Sequence, residues 1–175
     1  MDYHITDMLN ASQATDFSSA QDHPYRQMPY FLKPQLKAYF SRAIEGRVPM
    51  VVNCSAGKDR TGITAALMLT ALGVPRSQVM QDYVLSTEYR RPVIERGDVD
   101  LAAVAKSNAF AAMMLHYSDR QSTQAAPLIT EEGIPYLYYA LAQIEADYGS
   151  VPAFLDRELG VSAADIDTLK TLYLQ

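Results

Sequence analysis

A single cysteine in 175 residues leaves no disulfide framework, and no Cys pair or Cys/His cluster at zinc-ligand spacing accompanies it. Basic side chains are outnumbered, 15 against 20 acidic, for a net charge of -5. That balance argues against a general nucleic-acid or anionic-membrane binder, though it leaves room for a local cationic pocket. No apolar run approaches the ~18 residues of a membrane span. The start, Met1 to Asn10, is polar and acidic, unlike a signal or transit peptide. Repeats and low-complexity tracts are also missing. With 49% hydrophobic and 20% charged residues, the chain reads as one folded domain, 1–175, expected in the cytoplasm.

Most of the chain carries helical periodicity. Pro34 suits a first helical turn, and Leu36, Phe40, Ala43 and Ile44 follow at helical spacing until Gly46. Thr61 to Leu72 is apolar on nearly every face, as a buried helix must be. Further helices are expected over Ser77 to Tyr89, Leu101 to Tyr117, Pro135 to Tyr148, Val151 to Leu159 and Ser162 to Leu174. The last opens with Ser-x-x-Asp, a capping-box variant. Pro49 to Val52 reads as a buried strand, Tyr3 to Thr6 as a second short one, and Ala11 to Tyr30 as a polar loop.

Chemistry concentrates where the strand Pro49–Val52 gives way to the helix beginning at Thr61. The intervening residues are Asn53-Cys-Ser-Ala-Gly-Lys-Asp-Arg60. In a tight loop the backbone N–H groups of Ser55, Ala56, Gly57, Lys58, Asp59 and Arg60 converge on a concavity. The first helical N–H groups lack partners, and the helix dipole favours an anion there. Gly57 lets the backbone turn. Cys54 at the mouth of this nest should have its thiolate favoured, and the thiolate is the nucleophile. Six residues on, Arg60 can hold two phosphate oxygens with its planar fork. That pairing points to phosphoryl transfer through a phosphocysteine. Thr61 can offer its hydroxyl to the Cys54 sulfur, and Lys58 adds positive charge at the rim. Asp59 is the candidate general acid, with Asp22 as the alternative. A nucleotide-binding loop is excluded: that motif needs Gly where Val52 stands and Ser or Thr where Asp59 stands. Thiol redox chemistry is disfavoured because no second cysteine exists to resolve a disulfide.

Cys54-Ser-Ala-Gly-Lys-Asp-Arg-Thr-Gly62 resembles the phosphate loop of the atypical tyrosine/lipid phosphatases of bacteria and fungi, the protein tyrosine phosphatase B type, within the Cys-x5-Arg superfamily. Gly73-Val-Pro, Asp82-Tyr-Val-Leu-Ser, Tyr148-Gly-Ser and Leu159-Gly-Val-Ser extend the likeness to the C-terminus. The resemblance implies an α/β phosphatase fold: a small central sheet, flanking helices and a helix-rich C-terminal half. It also implies a reaction without metal or other cofactor. Substrates would be phosphotyrosine, phosphoserine or phosphothreonine in proteins, or phosphoinositides. Cys54 resembles the family's nucleophile, Arg60 its clamp, Lys58 its rim cation and Asp59 its loop acid. A lid of paired helices over 99–130 would match some relatives. Two departures stand out. Asn53 replaces the usual histidine before the cysteine, and the sequence starts after an N-terminal segment usual in the family, so that it reads either as a fragment or as a natural short form. These motivate a second reading, a catalytically impaired phosphate-binding module. They also lead us to expect an exposed sheet edge that could pair two copies in a homodimer. Secretion without a signal peptide, known among relatives, is compatible with this sequence.

Overall fold

The computed structural model describes residues 23–54, 57–89, 100–108, 111–112, 115 and 127–174. Pro24, Pro29, Pro34 and Pro152 each stand in the first turn of a helical element, where a missing N–H costs nothing and the fixed φ is already helical. The first element is a 3-10 turn, Pro24–Arg26. Helices α1 (Met28–Phe31) and α2 (Lys33–Ile44) follow, then α3 (Asp59–Ala71), α4 (Arg76–Tyr89) and the short α5 (Leu101–Val104). In the C-terminal part stand α6 (Tyr136–Tyr148), α7 (Val151–Phe154) running into a π-turn over Leu155–Leu159, and α8 (Ala163–Tyr173).

The central sheet expected from sequence is not found among the described residues, which hold no strand; an isolated antiparallel bridge joins Ile129 and Pro135. Pro49 to Val52 has no strand pairing, with a bend at Pro49, and Val51 is 88% exposed. An apolar run of four residues cannot announce whether a neighbouring strand covers it, so the reading as a buried strand fails here. The expected strand at Tyr3–Thr6 lies outside the described residues. So does half of the lid reading over 99–130. The expected helix Leu101–Tyr117 is interrupted: α5 ends at Val104, and turn residues follow over 105–107. The loop reading of Ala11 to Tyr30 also needs correction over its described end. There the 3-10 turn and α1 form, and Tyr25 and Pro29 are buried.

The other expected helices form, with boundaries shifted by a residue or two. Ser162 and Asp165 make the reciprocal capping box: the Ser162 hydroxyl accepts from the Asp165 N–H, and Asp165 accepts from the Ser162 N–H at 2.8 Å. Gly149 closes α6 at φ 81, a left-handed conformation that a side chain would oppose.

The hydrophobic core sits between α3, α6 and α7, with α2 and α8 packed on its flank. Phe40, Ile63, Leu67, Leu137, Ile144 and Phe154 are fully buried. Helix α3 is therefore held along its length by apolar contacts, and its N-terminus is presented at a fixed place. Among the described residues no helix is long and apolar enough to cross a membrane.

Candidate active site

Helix α3 starts at Asp59, two residues before the sequence reading placed it, so Asp59 and Arg60 belong to its first turn. Lys58, and not Arg60, is thus the last residue before the helix. Gly57 is the turn residue, with φ 63, and a side chain there would be strained whatever the space. Lys58 occupies the N-cap position without capping through its side chain. The N–H groups of a helix's first turn have no acceptor within the helix, so this end of α3 suits an anion.

Cys54, Arg60 and Thr61 line one cavity of about 940 Å³, and Asn53 lines it beside them. Its remaining walls are apolar for the most part, including Leu36 and Tyr39 from α2 and Met50 and Val52 from the apolar run before the loop. The cysteine and arginine are brought to a common space by different means. Cys54 follows the irregular stretch Pro49–Asn53, and Arg60 is fixed by the helix, whose Thr64 hydroxyl donates to the Arg60 carbonyl at 2.9 Å. Among the described residues the Thr61 Oγ1 is buried without a hydrogen-bond partner, as is Oε1 of Gln35 on the facing helix. The Thr61 hydroxyl therefore does not reach the Cys54 sulfur in this state. It is left unspent at the loop, where an unsatisfied buried hydroxyl is costly.

Lys58 and Asp59 do not line that cavity; they lie at the start of α3. Lys58 Nζ stands 3.9 Å from Asp59 Oδ1, the outer limit of an ion pair. Asp59 has a second partner that the sequence did not reveal: the buried phenol of Tyr25 donates to Oδ1. The hydroxyl of Tyr83, from α4, donates in turn to the Tyr25 oxygen at 2.7 Å. Burial, then the Asp59 charge, push the Tyr25 phenol far above its ordinary pKa, and burial raises Tyr83 as well. Both remain protonated donors throughout the working range. Tyr25 was hidden in a stretch that reads as a polar loop. The available signal was His23-Pro24: the His23 ring caps the Tyr25 N–H at 3.4 Å and stacks on Tyr139 with centroids 4.3 Å apart. Ser55, Ala56 and Asp22 lie outside the described residues.

A cysteine ahead of a glycine-turned loop, with the arginine six residues on in the first turn of a buried helix, is the layout of a Cys-x5-Arg phosphate loop. The chain belongs to the tyrosine phosphatase family, whose model matches residues 3–175. It is 29% identical to a tyrosine-protein phosphatase of Nostoc commune, over 89% of this chain and 50% of that protein. It is 27% identical to the triple specificity protein phosphatase PtpB of Mycobacterium tuberculosis, over 72% of this chain and 44% of that one. The chain thus spans about half the length of these relatives.

Proposed function

We propose that this chain is a phosphomonoester hydrolase working through a phosphocysteine, with phosphotyrosine in proteins as its main substrate. The observation that carries the reading is the meeting of Cys54 and Arg60 in one cavity at the N-terminus of α3. In the first step the Cys54 thiolate forms the S–P bond as the P–O bond breaks. The leaving oxygen keeps that electron pair and takes a proton from Asp59. Arg60 and the loop amides hold the equatorial phosphate oxygens, whose charge is greatest in the transition state. In the second step Asp59, now a carboxylate, takes a proton from water as the water oxygen forms its bond to phosphorus. The S–P bond breaks and the thiolate returns. No step needs a metal.

The full chain should hydrolyse an aryl phosphate in a vanadate-sensitive manner, and Cys54→Ser should abolish turnover. Folded protein without turnover above background would end this reading. Phosphoserine, phosphothreonine and phosphoinositides are further substrate classes, and Lys58 suits a polyanionic headgroup. Comparing turnover of a phosphotyrosyl peptide with that of phosphoinositides ranks them.

Asn53 supports a second reading, a phosphate-binding module with impaired catalysis. Asn53 is exposed beside the nucleophile and carries no charge to favour the thiolate. Phosphopeptide binding that survives Cys54→Ser, with no phosphocysteine trapped by rapid quench, would favour it.

A further inference from the structure

Gly62 closes the loop motif, yet nothing in the chemistry above uses it. Its place in the fold supplies a use. A side-chain carbon built on Gly62 would lie 2.7 Å from Tyr83 Cδ2 and 2.8 Å from Tyr83 Cε2. Only glycine lets the Tyr83 ring lie against the backbone of α3 at this point. Seated there, the Tyr83 hydroxyl meets the Tyr25 oxygen, and Tyr25 meets Asp59. The chain of contacts runs from the first turn of α3 out to α4, across to the 3-10 turn, and back to the first turn of α3.

We propose that Gly62, Tyr83 and Tyr25 are a positioning device for the Asp59 carboxyl group. The proposal rests on the reading of Asp59 as the general acid. Oδ1 takes the Tyr25 hydrogen and faces Lys58, while Oδ2 has no hydrogen-bond partner among the described residues. A carboxyl held by one oxygen presents the other in a fixed direction, and that second oxygen is the one that can carry the transferable proton. Tyr25 can hold Oδ1 in either protonation state of Asp59, because its own proton is pointed there by the bond it accepts from Tyr83. The phenol is buried, so the Tyr25 ring is held in place behind the carboxylate. Aspartate side chains at exposed helix starts turn freely; this one is tethered to a residue 34 positions away.

Leaving-group chemistry tests it. Protonation by a general acid matters most when the leaving group is a poor one, so phenyl phosphate should report on Asp59 far more than 4-nitrophenyl phosphate. In the full chain, Tyr25→Phe should lower kcat for phenyl phosphate about tenfold more than for 4-nitrophenyl phosphate, with KM little changed. The alkaline limb of its pH–rate profile, on which the general acid loses its proton, should move with it. In an Asp59→Asn background the same substitution should cost nothing further. Equal losses on the two substrates, or losses that add in full to those of Asp59→Asn, would overturn the proposal. Should Tyr25→Phe fail to fold, Tyr83→Phe decides. It keeps the ring on Gly62 and removes only the donor to Tyr25, and its loss should be selective in the same direction; an unselective or absent effect again overturns the proposal. Turnover that persists in Cys54→Ser would instead sink the reading of the whole site. A wild type that turns over through Cys54, with Tyr25→Phe unselective, sinks the positioning device alone.

Discussion

Gly62 and Tyr83 share a contact that only a missing side chain allows: the Tyr83 ring covers the Gly62 position so closely that an added carbon would sit 2.7 Å from it. The ring is buried and its hydroxyl is engaged with Tyr25, so it has little freedom to withdraw. Gly62→Ala should therefore destabilise the protein by about 1–3 kcal/mol, the usual range for overpacking. The gain in helix propensity from alanine, about 1 kcal/mol, offsets part of this. Urea unfolding monitored by circular dichroism measures the difference. A variant as stable as the wild type would mean that the ring moves at no cost.

The core around α3 predicts a contrast between two apolar residues. Leu67 is fully buried, whereas Val51 is 88% exposed. Leu67→Ala should cost about 2–5 kcal/mol, transfer and cavity terms together. Val51→Thr should stay within about 0.5 kcal/mol of the wild type, as surface substitutions do. A large effect at Val51 would show that this residue is covered in solution.

Helix α8 starts on the Ser162–Asp165 capping box, and its Tyr173 hydroxyl donates to the Ala43 carbonyl of α2 at 2.9 Å. Ser162→Ala should lower stability by about 1 kcal/mol through the lost cap. Ser162→Asp, which can still accept from the first-turn N–H groups, should recover most of it. The denaturant midpoints of the two variants provide the check.

His23 predicts a pH dependence of stability. Burial, and after it the Arg26 guanidinium, hold its imidazole below the ordinary pKa of 6.5. The unfolded chain then binds a proton more readily than the native one. The His23 contribution is complete above pH 6.5 and is lost as pH falls through the lowered folded pKa. The carboxylates act lower. Hydrogen bonds from Lys33 and Tyr148 hold Glu158 below 4.5, and bonds from Ser162 hold Asp165 below 3.8. Their contributions are present above those ordinary values and fade only as pH falls further. Urea midpoints taken between about pH 7.5 and 5.5 should fall with pH, and His23→Gln should flatten that slope. An unchanged slope would place the titration elsewhere.

Much of the helical layout was legible because its signals are local. Proline in a first turn, the Ser162–Asp165 box and Gly149 at a helix end act within a few residues, and apolar spacing marked the buried faces of α2, α3 and α6. The loop was legible for the same reason, since Cys54, Gly57 and Arg60 lie within seven consecutive residues.

Sheet formation was not local. Pro49–Val52 has strand composition, but a strand needs a neighbour, and the described residues supply none. The fate of single residues inside a polar stretch was equally hidden. Tyr25 reads as one more loop tyrosine, yet its turn packs on α6 and buries the ring. By itself the sequence determined the helices, their caps and the spacing of nucleophile and arginine, all of which depend on near neighbours along the chain. Tertiary structure alone decided that Cys54 and Arg60 share a cavity, that Val51 faces outward and that Tyr25 grips Asp59. Those relations depend on which distant segments close-packing brings together.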